Sequence, residues 1–174
     1  MGTVELYHIM GIIWTVAAGF ILHFTYEWFD RRKSVAWFSA VNESIWEHLK
    51  LFFFPALLWS ITEFFTYGMR LPGFWPVKAL FLAAGVLLIP LLYYGYTGLT
   101  GRNFLWADIG VFILSVLLAY GISHLLMKSQ KVFSSLLWQI TGFIIIAALI
   151  FAFVRFTYKA PDLPVFRDNH KTNE

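Results

Sequence analysis

Cysteine is absent from the chain, so disulfides, thiolate metal ligands and cysteine nucleophiles are excluded. Charge is scarce, with only 13% of residues being Asp, Glu, Lys or Arg. These residues form no basic block, which argues against a nucleic-acid partner despite a net charge of +3. The first residues, MGTVELYH, lack the basic region of a signal peptide, and Leu6 stands where a myristoylation signal requires Ser or Thr. No HExxH occurs, and the single Glu-x-x-His, Glu5 to His8, stands alone, which disfavours a di-iron bundle. The apolar runs show no period-2 alternation, so helices are favoured over a membrane barrel.

What abounds is hydrocarbon: 59% of the 174 residues are hydrophobic, far above the soluble range. A bilayer core about 30 Å thick needs roughly 20 apolar residues per helical crossing. Five runs meet that need, at about 4–28, 48–69, 75–97, 105–127 and 133–158. The expected fold is all-α, a polytopic membrane protein with a five-helix transmembrane domain over residues 1–160 and a cytoplasmic tail over 161–174. The first run is too long for a signal peptide and reads as an uncleaved helix. Segment 34–46 is too polar to cross. There Val35, Phe38, Val41 and Ile45 recur opposite Ser39, Asn42 and Glu43, as in a short helix lying in the interface or re-entering the bilayer.

Orientation follows from Lys and Arg, which are retained on the cytoplasmic side. One face of the five-span plan holds Arg31, Arg32, Lys33, Lys50, Arg102, Arg155, Lys159, Arg167 and Lys171; the other holds Arg70, Lys78, Lys128 and Lys131. Nine against four places the N-terminus outside and the C-terminus in the cytoplasm of a multi-pass cell-membrane protein. The repeated Phe-Thr-Tyr at 24–26, 65–67 and 156–158 reads as an aromatic belt at span ends.

Under this plan the polar residues sort into two layers. The cytoplasmic layer holds His23, Glu27, the stretch NESIWEHLK at 42–50, Asp108, Arg155 and Tyr158; the outer one holds Glu5, His8, Glu63 and His124. At about 100° per residue, Asp108 shares a face with Ser115 and Ala119, and Arg155 lies beside Thr141, Ala148 and Ala152. Small residues line helix contacts in membranes, so Asp108 and Arg155 are expected to point inward. Gly19, His23 and Glu27 form a ridge that drifts about 80°. Helices one, four and five are therefore expected to share a polar chamber open to the cytoplasm.

Ser44-Ile-Trp-Glu47 before an apolar run has the form of a capping box, with Asn42 as an alternative cap. Lys50 is placed to snorkel to headgroups. Capping leaves Glu43, His48, His23 and Glu27 unexplained. Glu43 and Glu47 stand four apart, as do His23 and Glu27, so two helical faces carry oxygen and nitrogen donors. Glu43, Glu47, His48 and His23 are candidate ligands for a divalent metal, or a carboxylate and imidazole acid/base set. Simpler readings stand beside this one. His23 bonds a backbone carbonyl, Glu27 pairs with Arg31, Asp108 caps its helix, Arg155 anchors a lipid phosphate, Glu63 snorkels outward, and His8 and His124 are interfacial. Pro55 is expected to kink the second span and free the carbonyl of Leu51. The tail can fold back over the chamber mouth, bringing Asp162, Phe166 and Asp168 within reach, with a frayed end beyond Asn169.

NESIWEHLK, the aromatic run and Pro after it, and PDLPVFRDN near the C-terminus resemble an uncharacterised family of small multi-span bacterial integral membrane proteins. The resemblance implies an intact integral membrane protein and carries no activity with it. The sequence thus points to a bilayer-embedded protein whose chamber, including His23, Glu27, Asn42, Glu43, Glu47, His48, Asp108, Arg155 and Tyr158, binds a cation or small cationic molecule for transport or sensing. An intramembrane metal-assisted hydrolase or transferase acting on a lipid, and a partner-binding scaffold, are the alternatives.

Overall fold

The computed structural model describes residues 2–168 of the chain. It contains five long helices: α1 (Thr3–Trp28), α2 (Ile45–Thr66), α3 (Phe74–Thr100), α4 (Leu105–Lys128) and α5 (Leu136–Tyr158). All five are long and apolar enough to cross a membrane, and no strand occurs among the described residues. Lys171 and the end expected to fray beyond Asn169 lie outside those residues.

Local chemistry sets the helix ends. Ser44 caps α2 by accepting from the Glu47 backbone N–H at 3.3 Å, and Ser135 caps α5 from Trp138 at 3.4 Å. The α3 helix stops at Gly101, whose φ of 71° suits a residue without a Cβ. The α1 helix closes with Arg31 N–H donating to the Tyr26 carbonyl and Asp30 N–H to the Glu27 carbonyl. This is the Schellman pattern, with Asp30 at φ 52° in the place glycine usually takes. The chain is thereby turned back across the end of the bundle.

Residues 34–38, expected to open a short helix at 34–46, form consecutive turns instead. Ser39, placed by periodicity on the polar side, is fully buried: its hydroxyl donates to the Leu22 carbonyl and accepts from the Tyr26 N–H. Tethering to the end of α1 outweighs the three- and four-residue spacing, which successive turns satisfy as well as a helix does.

The core lies mainly on α2 and α3, with Phe52, Phe53, Phe81 and Leu82 inside and Val116 of α4 against them. A Cβ at Gly85 would meet the Phe52 ring, so glycine sets the closeness of these two helices. Ile13, Leu87, Leu125, Ile144 and Phe151 stay exposed around the perimeter, as lipid-facing side chains do. Pro55 lies inside α2 and cannot donate to the Leu51 carbonyl. That oxygen faces α1, where a Cβ at Gly19 would come within 2.7 Å of it.

Two buried ion pairs, each with the hydrogen bonds around it, tie the elements of the bundle together. Near the α1 N-terminus, Lys78 Nζ lies 2.5 Å from Glu63 Oε2, with neither side chain exposed. Tyr67 donates to Glu63 at 2.8 Å, His8 stands 3.6 Å from the same carboxylate, and Ser123 lies 3.4 Å from both Lys78 and His8. Burial, with the Glu63 charge beside it, pushes the Tyr67 hydroxyl up and keeps it a donor. The expectations that Glu63 snorkels and that His8 is interfacial are corrected: together with Lys78 and Ser123 they give α1, α2, α3 and α4 one shared polar contact, which a lipid-facing orientation would leave unsatisfied.

At the other end, Lys50 also points inward instead of snorkelling. Its ammonium donates to Glu47 Oε2 at 2.5 Å, the Ala36 carbonyl at 2.8 Å and Thr157 Oγ1 at 2.9 Å. Those three partners match the three donors of an ammonium. The α5 helix turns Gly142, Ile146 and Phe153 inward and leaves Ala148 and Arg155 exposed. Of the small-residue stripe on α5, Ala148 is exposed and Thr141 and Ala152 are only half-buried, because Phe153 takes the inward place and packs against Trp46 and Phe53, both at 5.0 Å. Phe166 of the tail packs with a tilted ring against Trp46 at 4.8 Å and does not line the cavity between α1, α2, α3 and α4.

Removing one partner of a buried pair costs about 3–5 kcal/mol, against about 1 kcal/mol for a lost cap. Unfolding in detergent should therefore show Glu47→Leu and Lys50→Met each destabilised by about 3 kcal/mol or more, with the double replacement Glu47→Leu/Lys50→Met closer to wild type than either. Single losses near 1 kcal/mol that add in the double variant would contradict the pairing.

Candidate functional site

The buried Lys50–Glu47 pair fixes the turn before α2. Glu47 Oε2 also accepts from the Val41 N–H at 3.0 Å, and Asn42 Oδ1 accepts from the Ser44 N–H at 3.0 Å. With Asn42 holding the Ser44 N–H, the reciprocal half of the expected capping box is not made. Glu47 is directed to the lysine side of α2, and Glu43 is left on the side facing α1.

There Glu43 meets two imidazoles. His48 Nδ1 lies 2.8 Å from the Ser44 carbonyl, which can only accept, so Nδ1 carries a proton and Nε2 is the ring nitrogen turned toward Glu43 and His23. His48 Nε2 is 3.2 Å from His23 Nε2, and Glu43 Oε2 is 3.4 Å from His48 and 3.7 Å from His23. The imidazoles of His23 and then His48 hold the Glu43 carboxyl well below the usual carboxylate range. It is an anion throughout the physiological range. These three residues form a His/Glu group with one ligand atom each within 4.8 Å of the others.

The group stands at one end of a cavity of about 360 Å³ between α1, α2, α3 and α4. Gly19, Leu51, Ile89 and Phe112 line its deeper part; Tyr93, Asn103 and Asp108 line the part level with the histidines. Asp108 accepts a short hydrogen bond from the Tyr96 hydroxyl, which fastens α4 to α3. Its other oxygen is not used by that bond.

Of the residues singled out from the sequence, the structure brings His23, Glu43, His48 and Asp108 to one cavity. Glu47 is taken by Lys50. Glu27 is exposed and 3.7 Å from Arg31, because the drift of the α1 ridge carries it off the face that holds Gly19 and His23. Asn42 is exposed and serves the turn. Arg155 is exposed on α5, which does not line the cavity. Tyr158 donates to the Lys33 carbonyl at 2.7 Å and accepts from Trp37 at 2.6 Å, pinning the loop instead of facing a chamber. The chamber expected from α1, α4 and α5 is thus built by α1 to α4. Sequence reasoning missed Tyr93, Asn103 and Tyr96, whose aromatic and loop context gave no signal, and Thr157, whose role depends on a residue distant in the chain.

No curated protein and no solved structure matches the chain. Residues 1–173 match DUF6512, a family of unknown function, and the chain belongs to that family.

Proposed function

We propose that His23, Glu43 and His48 bind a divalent transition metal of the zinc class, with one coordination position open to the cavity. Ligand atoms about 2.0–2.2 Å from a tetrahedral ion lie about 3.3–3.6 Å from one another. The three separations here, 3.2, 3.4 and 3.7 Å, bracket that range, and this is the observation that carries the reading. The donor set of two imidazoles and a carboxylate suits a borderline ion. The Ser44 carbonyl on His48 Nδ1 supplies the outer hydrogen bond that fixes a ligand's tautomer. Glu43, already ionised, needs no deprotonation to bind. Three protein ligands beside an open cavity also support metal-assisted chemistry on a lipid as a second reading.

Metal analysis of detergent-purified protein should give about one zinc-class ion per chain, lost in His23→Ala and His48→Ala and weakened in Glu43→Gln. Added zinc at about 100-fold above Kd should stabilise the fold by about 2.7 kcal/mol, and the effect should fade as pH falls, since protons compete for the imidazoles. Protein that carries no metal and shows no response to zinc, cobalt or nickel would contradict the proposal.

The N-terminus lies outside and the metal group near the cytoplasmic surface in this reading. With Lys50 and Lys78 buried, the Lys and Arg asymmetry goes from nine against four to eight against three, which strengthens it. Because the chain has no cysteine, single-cysteine variants report without background. In intact cells a membrane-impermeant maleimide should label cysteine placed at Ser129 and spare cysteine placed at Lys33; the reverse pattern would invert the topology.

A further inference from the structure

On each of four helices a polar lining residue of the cavity is followed toward mid-bundle by an apolar one or a glycine, with Ile45 and Leu105 also lining it at the helix ends. On α1, His23 is followed one turn deeper by Gly19; on α2, His48 by Leu51; on α3, Tyr93 by Ile89; on α4, Asp108 by Phe112. At 1.5 Å per residue the apolar level lies about 5–6 Å below the polar one. Phe20 and Leu105, which also line the cavity, are exposed on the outer surface of the bundle, so its wall between α1 and α4 reaches the lipid-facing perimeter. A pocket whose polar end lies at the helix ends and whose apolar end points to mid-bilayer repeats the polarity of one lipid leaflet.

The polar end carries two unlike charges once a metal is in place. A divalent ion held by the Glu43 carboxylate and two neutral imidazoles keeps a net positive charge and an open position. Asp108, on α4, presents a carboxylate with Tyr93 also at that level. One head group answers both: a phosphate to complete the metal coordination and an ammonium to pair with Asp108, with the Tyr93 ring a further surface for the cation. A volume of about 360 Å³ lies at the small end of ligand pockets, which suits a head group and one chain segment.

Resting on the metal reading above, we propose that the cavity binds a single-chain amphiphile with a zwitterionic phosphate–amine head, entering between α1 and α4 with its chain against Ile89 and Phe112. The metal holds the phosphate and Asp108 holds the amine.

The test is equilibrium binding of radiolabelled lysophosphatidylethanolamine to the full-length protein in dodecyl maltoside, zinc-loaded or stripped with chelator. Lysophosphatidic acid and a monoacylglycerol of the same chain serve as competitors. Zinc loading should tighten binding at least about tenfold, the size of one charge-assisted contact, and monoacylglycerol should not compete. Asp108→Asn keeps an acceptor for the Tyr96 hydroxyl; it should weaken the ethanolamine lipid about tenfold and leave lysophosphatidic acid unchanged or tighter. Zinc bound at one per chain with no effect on lipid binding, or equal competition by monoacylglycerol, would overturn this proposal and leave the metal site standing. Failure of zinc itself to bind would overturn both. Loss of both phospholipids equally in Asp108→Asn would overturn the role of the amine.

Discussion

The Lys50 ammonium, wholly buried and bonded to Glu47, the Ala36 carbonyl and Thr157, holds this end of the bundle in place. A charge removed from water and lipid headgroups is tolerable only when every donor finds a partner, and here each does. The partners come from three parts of the chain: the turns after α1, the first turn of α2, and the end of α5. Meeting the lysine's demand therefore fixes where residues 36 to 47 lie. It draws Glu47 to one side of α2 and leaves Glu43 and His48 on the other, opposite His23. The cavity group is a geometric consequence of the ion pair behind it.

The opposite end of the bundle solves a similar problem with different residues. Glu63 and Lys78 neutralise one another, Tyr67 and Ser123 supply hydrogen bonds, and the rings of Phe74 and Phe81 lie 5.5 and 5.2 Å from the ammonium. That cluster is closed by the helices around it. At the Glu43 end the two kinds of polar group are separated. The ion pair is sealed between α2, α5 and the turns, and the imidazoles and carboxylate face open space. A sealed pair contributes cohesion, whereas the donors held 3.2–3.7 Å apart beside the cavity are the group to which the proposed metal site is assigned.

Much of this fold is legible in the sequence because hydropathy and length decide it. The five helices lie within a few residues of the five apolar runs, and Ser44 caps α2 as its position before Ile45 implies. His23, Glu43 and His48 are recoverable as a set because donor chemistry is local to two short stretches. The inward turn of Lys50 was not recoverable: its stem reaches headgroups or interior equally well, and Thr157, 107 residues away, decides between them. The inward face of α5 is hidden from helical phase for a related reason. Gly142 follows the small-residue rule, with Pro76 against it, but the cleft between Trp46 and Phe53 takes Phe153, leaving Ala148 exposed and Ala152 half-buried. Helical phase shows which residues share a face; the shapes of neighbouring helices decide which face turns inward.

The claim that the ion pair positions a metal site is tested most directly by X-ray absorption at the zinc edge of the zinc-loaded protein. The account predicts nitrogen and oxygen neighbours at about 2.0–2.1 Å with the outer-shell scattering of two imidazoles, reduced to one imidazole in His48→Ala. A spectrum with oxygen neighbours alone, unchanged by that substitution, would contradict it.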